Sequence, residues 1–159
     1  MVKRTLSKSI VLTFAFVIAM MAGMQAAYAA KETAVPLTAA PPNTPEEMAV
    51  YEGYAYLYAS SAELTGNGNG TVRISVTTTA KTTVAVAGAT VQLQRYTGTS
   101  WSNVGSSTTL TAANTSILTS YVDKTVTAGY YYRAKVTHYV TQGGTTESVV
   151  EYSASYLTS

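Results

Sequence analysis

From Tyr51 onward, the chain alternates stretches rich in threonine, valine, tyrosine and serine with recurring clusters of glycine and asparagine. β-Branched and aromatic side chains favour strands, whereas glycine and asparagine accept the positive φ angles that tight turns require. This pattern predicts many short antiparallel strands joined by turns. We expect seven strands, at residues 53–64, 71–82, 89–96, 101–110, 116–126, 130–140 and 145–157.

Seven such strands within residues 51–159 predict an all-β fold, a Greek-key β-sandwich of the immunoglobulin or fibronectin type III kind. A small β-barrel is the alternative. The 159-residue chain contains no cysteine, so neither a disulfide nor a thiolate metal site can form. The domain must therefore be held together by its hydrophobic core, for which about 105 residues are sufficient.

Residues 1–29 have the order of features that is typical of a secretory signal peptide. Three basic residues stand within the first eight positions, an apolar run follows at residues 10–23, and Ala27-Tyr28-Ala29 forms a small-x-small cleavage site. A membrane anchor is the alternative, but the apolar run is shorter than the roughly 20 residues that a span needs. We therefore expect a secreted, extracellular protein that is either released or retained at the cell surface.

Residues 30–50 contain all four prolines of the chain and show no hydrophobic periodicity. Proline lacks the N–H group that a strand ladder uses and restricts φ, so this segment does not look like a strand. We predict a disordered, proline-rich linker between the signal peptide and the folded domain at residues 51–159.

The net charge of the whole chain is +2, from 10 basic and 8 acidic residues. The predicted signal peptide holds three of the basic residues and none of the acidic ones, which leaves seven basic and eight acidic residues in the mature chain. A near-neutral protein without a concentrated basic stretch is not expected to bind nucleic acid, or a membrane beyond its export.

Residues 130–140 hold three consecutive tyrosines, two basic residues and the only histidine. Neighbouring residues of a strand point to opposite faces, so the face that carries Arg133 and Lys135 is expected to meet solvent and the other face the core. The same alternation in the other strands selects inward positions. The predicted structural residues are Ile74, Val91, Leu93, Tyr132, Ala134 and Val136.

Tyr132 has a specific expected role. It lies two residues before the inward Ala134 and just after the predicted turn at 127–129. A tyrosine at this place in sandwich domains bonds through its hydroxyl to the preceding connection and holds the corner together. We predict such a tyrosine corner here.

The outward residues and one tryptophan form the candidate binding surface: Trp101, Tyr131, Arg133, Lys135 and Tyr139. Trp101 has two interpretations. It can pair across the loop at 97–100 with Tyr96, which would stabilise the hairpin by roughly 0.2–1 kcal/mol, or it can stack on a sugar ring. The alternating tyrosines of residues 54–58 leave the buried face of their strand undecided, and a core or mixed environment is favoured.

His138 is the residue that could titrate near neutral pH, and a catalytic role would need a partner such as Ser148 or Glu147. The chain has no second histidine and one aspartate, Asp123, and it shows no nucleophile elbow. A buried structural histidine is therefore favoured. We predict no catalytic residues, no metal ligands and no cofactor.

Four stretches carry a family resemblance: "EGYAYLYASSAELTGNGNGTVRISV" (52–76), "VQLQRYTGTSWSNVGS" (91–106), "TAGYYYRAKVTHYV" (127–140) and "GGTTESVVEYSAS" (143–155). Together they resemble small secreted proteins of Gram-positive bacteria that form an Ig-like family of unknown function. The resemblance covers residues 51–155. It implies export and an Ig-like fold, and it implies no activity or site residues.

These observations predict a secreted, non-enzymatic protein that acts as a surface adhesion or protein-interaction module. One alternative is a carbohydrate or cell-wall binding module that uses Trp101 and outward tyrosines. Another is a structural subunit that assembles through its strand edges, since unpaired edges are templates for strand addition. The expected partner is an extracellular protein or glycan, and self-association is a further option. A hydrolase that uses His138 is the least favoured function.

Overall fold

The computed structural model describes residues 35–42 and 49–159. The described residues form seven strands, all paired antiparallel, and no helix. The predicted seven-stranded, antiparallel all-β class is confirmed. The predicted signal peptide lies outside the described residues. The strands are β1 (Ala49–Val50), β2 (Leu57–Gly68), β3 (Thr71–Tyr96), β4 (Trp101–Thr125), β5 (Tyr131–Gln142), β6 (Thr145–Tyr152) and β7 (Tyr156–Leu157).

Two of these strands are much longer than expected. The predicted strands at 71–82 and 89–96 are parts of the single strand β3, and those at 101–110 and 116–126 are parts of β4. No glycine-rich or proline turn interrupts β3 near residue 82, so the chain bends without leaving the sheet. The bend shows as a shift in the β3–β4 register between Thr79 and Val84, whose partners on β4 are Ile117 and Thr115. Asn114, with its φ of 51°, adjoins this shift. The short strands β1 and β7 bring the number to seven.

The bend divides the hydrogen-bonded sheet into two layers. The first layer contains β1, β2, residues 71–80 of β3 and residues 117–125 of β4. The second layer contains residues 84–96 of β3, residues 101–115 of β4, and β5, β6 and β7. Because β3 and β4 run through both layers, they form one continuous curled sheet, like a half-barrel, rather than two separately hydrogen-bonded sheets.

The hydrophobic core lies inside this curl. It combines apolar side chains from β2, β3, β4 and β5, with partly buried tyrosines around it. Burying each large aliphatic side chain contributes about 1.5–3 kcal/mol, so these alternating positions are the main source of stability. All six predicted structural residues lie in the core with at most 1% exposure: Ile74, Val91, Leu93, Tyr132, Ala134 and Val136.

The start of β2 shows which of its faces is buried. Leu57 and Ala59 are buried, whereas Tyr58 between them is 47% exposed. A register shift between Leu57 and Ala59 changes the phase of the strand, and Ala62 and Leu64 then continue the buried face. The environment of the tyrosines is therefore mixed, since Tyr54 and Tyr56 pack partly buried against the core.

Parts of the predicted linker contact the domain. Ala49 and Val50 pair with Ser60 and Ala59 as β1, because this stretch lacks proline and extends the edge of β2. The N–H of Leu37 donates to the Gly129 carbonyl at 2.7 Å. Gly129 has a φ of +83°, and a side chain there would meet Leu37 at 2.9 Å, so this contact depends on glycine.

Candidate functional site

Strand register places polar and aromatic side chains side by side on the outward face of the second layer. Arg133 of β5 lies opposite Gln94 of β3, which lies opposite Asn103 of β4. Two residues further along β5, Lys135 lies opposite Tyr152 of β6. Neighbouring strands are about 4.8 Å apart, so side chains of four strands come within contact of one another.

Arg133 lies between two aromatic rings. The centre of its guanidinium is 4.4 Å from the ring centroid of Trp101 and 4.2 Å from that of Tyr152. Its Nε donates to Oε1 of Gln94 at 2.9 Å. Such cation–π contacts contribute about 0.5–1 kcal/mol each at exposed sites. We call Trp101, Arg133 and Tyr152 the Arg133 stack.

Further contacts hold the Arg133 stack in place. The ring centroids of Trp101 and Tyr96 are 5.1 Å apart at an interplanar angle of 52°, across the hairpin loop. Nε2 of Gln94 donates to Oδ1 of Asn103 at 2.9 Å, which orients the amide oxygen toward Arg133. Burial lowers the pKa of Arg133, but a guanidinium still remains charged at neutral pH.

The structure places all five predicted binding residues on the outward side of the second layer: Trp101, Tyr131, Arg133, Lys135 and Tyr139. It brings Trp101 and Arg133 into contact. Lys135 is the next outward residue of β5 after Arg133. Tyr131, two residues before Arg133, lies opposite Leu157 of β7, and its ring does not contact the Arg133 guanidinium.

Tyr139 covers the backbone of β3. It lies opposite Gly88, and a Cβ atom at Gly88 would come within 2.1 Å of the tyrosine ring. The glycine therefore makes room for the ring to lie flat on the sheet. Tyr139 is partly buried by this contact and forms the far end of the candidate surface.

Two residues of this site, Tyr152 and Gln94, were missed by the sequence analysis. For Tyr152 a signal existed. Gly143 and Gly144, with φ angles of 57° and 81°, form a two-residue hairpin turn that pairs Gln142 with Thr145. Counting residues away from that turn along both strands places Tyr152 opposite Lys135, beside the outward basic residues. Gln94 is an ordinary outward residue in sequence, and only its contacts single it out.

The carboxylates of β6 point away from this surface. Glu147 lies opposite the buried Val140, and its carboxylate accepts the N–H groups of residues 55, 56 and 57 at 2.7–2.8 Å. Burial raises the pKa of Glu147, but these three donors outweigh it, so the pKa lies below its ordinary value. Glu151 lies opposite the buried Val136. The described strands thus present Arg133 and Lys135 outward without a carboxylate beside them.

His138 is fully buried between the layers. Its Nδ1 is 2.7 Å from Oγ1 of Thr78, and that hydroxyl also donates to the Gly88 carbonyl at 3.1 Å. The hydroxyl therefore accepts from Nδ1–H, which leaves Nε2 without a proton in the neutral ring. Nε2 lies 3.5 Å from Oε2 of Glu151 and makes no hydrogen bond among the described residues. Oε2 also accepts from the hydroxyl of Ser60.

These partners differ from the Ser148 and Glu147 that the sequence suggested for His138. β5–β6 register places Glu151 on the inward face beside the histidine, while Ser148 points outward. Desolvation lowers the pKa of His138 to about 4. The nearby carboxylate acts in the opposite direction, but at 3.5 Å without a hydrogen bond it does not prevail over desolvation. Thr78 and His138 are both 0% exposed, so the imidazole and its hydroxyl partner lie away from solvent.

Tyr132 reaches back to the connection that precedes β5. Its hydroxyl accepts the N–H of Thr127 at 3.1 Å, and its ring is 1% exposed. The hydroxyl also meets the requirement that a buried tyrosine oxygen has a hydrogen-bond partner. Within the described residues, no cluster of histidine, aspartate and glutamate could hold a metal ion, and no helix is long and apolar enough to cross a membrane.

The outward face of the first layer carries a second arginine. Nε and Nη2 of Arg73 donate to the two carboxylate oxygens of Asp123, each at 2.9 Å. The guanidinium lies 3.9 Å from the ring centroid of Tyr121, and Asn67 donates to the same carboxylate at 3.0 Å. The hydrogen bonds from Arg73 hold the pKa of Asp123 below its ordinary value. Tyr121 and Ile117 on this face are 54% and 50% exposed.

No protein-family model matches the chain, and no curated protein matches it. Among solved structures, a protein from Archaeoglobus fulgidus is similar over 65% of this chain and 98% of its own length, with 11% sequence identity and a TM-score of 0.33. A likeness at this TM-score supports no inference about fold or function. The resemblance to small secreted Ig-like proteins of Gram-positive bacteria therefore stays a prediction.

Proposed function

We propose that this protein is an exported, non-enzymatic interaction module that binds a protein partner through the outward face of its second layer. The observation that supports the proposal is the Arg133 stack, in which a guanidinium is held between the rings of Trp101 and Tyr152 on an open sheet surface. Export rests on the features of residues 1–29.

The residue types of this surface are those that dominate protein interfaces. Tryptophan, tyrosine and arginine are enriched among the few side chains that provide most of the binding energy. Tyr152 and Val150 beside the stack are 38% and 52% exposed, so apolar surface is accessible next to the guanidinium. Because Arg133 is already held by two rings and an amide, it loses little conformational entropy when a partner binds.

The charge of the surface indicates an acidic partner. Arg133 and Lys135 stand on the outward face without an adjacent carboxylate, since both glutamates of β6 point to the other side. Lys135 makes no hydrogen bond or ion pair within the described part of the chain. A guanidinium fork matches a carboxylate through two parallel hydrogen bonds. We therefore expect a partner that presents aspartate or glutamate next to apolar side chains.

The geometry favours a protein over a sugar at this place. Stacking on a sugar requires a free face of an aromatic ring, whereas Trp101 has the Arg133 guanidinium over its ring and Tyr96 packed against it. Tyr152 likewise has Arg133 over its ring. The carbohydrate alternative remains as one outcome of the test.

The test measures binding of labelled protein, residues 30–159, to envelopes of the producing cells. One sample of envelopes is untreated, one is treated with protease, and a third consists of purified wall glycan. We expect binding to untreated envelopes that disappears after protease treatment and weakens as salt concentration rises. Binding to purified glycan that equals binding to untreated envelopes would instead establish the carbohydrate function.

Two arginine variants localise the binding. Arg133→Ala should weaken it about 10-fold or more, as expected for a central interface arginine. Arg73→Ala is the matched control, because it removes an arginine stacked on a tyrosine from the other outward face. Thermal unfolding shows that both variants are folded. Equal binding by Arg133→Ala and the unchanged protein would refute the proposal.

A further inference from the structure

One edge of β4 pairs with no other described strand. Among the described strands, β4 is hydrogen-bonded to β3 alone, so every second residue directs its backbone N–H and C=O groups away from β3. At Ile117 the side-chain hydroxyl of Thr115 bonds both of these groups. Residues 101–122 contain no charged residue and no proline. Such an edge is a template for pairing with another strand.

Proteins usually protect edges of this kind with charges, prolines or bulges. The edge of β6 follows that rule, since it carries Glu147 and Glu151 within eight residues. On β4 the protection consists of irregular positions, at Gly105 with a φ of 63° and at Asn114 with a φ of 51°. Beyond Asn114 the register with β3 is unbroken from Ile117 to Thr125. The stretch at 115–123 therefore contains no proline and no charge before Asp123, and it is regular from Ile117 onward. At its start, the hydroxyl of Thr115 occupies the backbone N–H and C=O groups of Ile117.

The exposed side chains of this stretch complement a second copy of themselves. Ile117, Thr119 and Tyr121 point outward from the first layer, and Ile117 and Tyr121 are among its most exposed apolar residues, at 50% and 54%. If two such strands pair antiparallel with Thr119 opposite Thr119, each Ile117 lies directly opposite Tyr121 of the other copy. β-Branched and aromatic residues form favourable cross-strand pairs, and so do two threonines.

We propose that two copies of this protein associate by antiparallel pairing of residues 115–123 of β4, centred on Thr119. In this pairing the backbone of the second copy replaces the Thr115 hydroxyl as the hydrogen-bond partner of Ile117. The charges agree with a like-on-like contact, because the one charged residue of this stretch, Asp123, lies opposite the neutral Thr115 in this register. Asp123 is also neutralised by Arg73. Two copies therefore pair without like charges facing each other, while each covers the exposed isoleucine and tyrosine of the other.

This pairing leaves the candidate binding surface free. The pairing edge belongs to the first layer, whereas the Arg133 stack lies on the second layer. The dimer would present two Arg133 surfaces, and attachment to a surface that carries many partners would then be strengthened by effective concentration. The self-association is nevertheless an independent proposal, since it holds whether or not the Arg133 stack binds anything.

Cysteine cross-linking tests the register, because the chain contains no cysteine of its own. Directly opposed residues of antiparallel strands have Cα atoms about 4.5–5.5 Å apart, which a disulfide can bridge. We expect Thr119→Cys to form a disulfide-linked dimer under mild oxidation. Thr111→Cys, at an exposed position of the same strand outside the stretch, is the control and should stay monomeric. Equal cross-linking of both variants, or none at Thr119→Cys, would overturn the proposal.

Charge substitution tests the same contact without a covalent bond. In analytical ultracentrifugation, the unchanged protein should show a dimer fraction that grows with concentration. Thr119→Lys and Thr119→Glu should each be monomeric, because like charges would face each other, and an equal mixture of the two should dimerise again. Recovery in the mixture shows that both variants are folded. An unchanged protein that is monomeric at every concentration, or a mixture that does not recover, would contradict the proposal.

Discussion

The two outward faces of the molecule each carry an arginine on a tyrosine ring, but they leave these arginines in different states. Arg73 on the first layer has a carboxylate, Asp123, that accepts two of its hydrogen bonds. Arg133 on the second layer has two aromatic rings and the neutral amide of Gln94. The first arginine is satisfied within the chain, whereas no carboxylate of the described residues compensates the charge of the second. The distribution of carboxylates, more than the arginines themselves, therefore distinguishes the first layer's outward face from the proposed binding face.

The largest expected effect is a loss of stability in acid. Low pH protonates His138 in the core between the two faces, whereas both arginines keep the charge they already have. The folded-state pKa of His138 is about 4, below the ordinary 6.5. The neutral ring is thus preferred in the fold, so its stabilising contribution is fully present above about pH 6.5 and is lost as the pH falls toward 4. We expect the free energy of unfolding to fall by about 3 kcal/mol over this range.

Urea unfolding at several pH values measures this loss. His138→Asn is the control, since its amide N–H can replace the Nδ1–H donor to Thr78 without titrating. Its stability should change much less between pH 6.5 and 4 than that of the unchanged protein. The same pH dependence in both proteins would show that other groups cause the loss.

A carboxylate placed beside Arg133 should neutralise its charge, as Asp123 neutralises the charge of Arg73. In Gln94→Glu the new carboxylate would stand where the amide oxygen now accepts from Arg133 Nε, as Asp123 does for Arg73. We expect envelope binding to weaken about 3- to 10-fold, because the partner's carboxylate then competes with an internal one. The melting temperature should change little. Binding that stays at its original strength would show that the charge of Arg133 is not what the partner recognises.

The smallest effect is expected when the carboxylate that pairs with Arg73 is removed. Asp123→Asn removes the carboxylate from Arg73 and should lower the melting temperature slightly, as exposed ion pairs contribute little. It should not create a second binding site, because Arg73 is stacked on one ring, Tyr121, rather than held between two. The number of molecules bound to envelopes at saturation measures this. A clear increase would show that a free arginine on a tyrosine is sufficient for binding.

Much of the local structure could be predicted from the sequence. The alternation in β5 assigned Arg133 and Lys135 to one face and Ala134 and Val136 to the other, because the side-chain period of a strand does not depend on its neighbours. The continuity of β3 and β4 could not be predicted in the same way. Their bends use register shifts and an asparagine in the left-handed backbone conformation instead of a glycine or proline turn. No strong local sequence pattern therefore predicts these bends.

The candidate site was predicted only in part for a similar reason. Trp101, Arg133 and Tyr152 belong to three strands, and their contact depends on the registers of β3–β4, β3–β5 and β5–β6 together. The glycine turn at 143–144 indicates one of these registers. The other two depend on pairings between distant parts of the chain.

The sequence by itself determined the all-β class, the inward and outward faces of its strands, and the residues available for a core and for a surface. Those properties follow from side-chain chemistry and a two-residue period, which are local. Only the tertiary structure decided that Arg133 lies between two rings, that His138 meets Thr78 and Glu151 in the core, and that one edge of β4 pairs with no other described strand. These features depend on which distant strands become neighbours, and the packing of the whole core determines that choice.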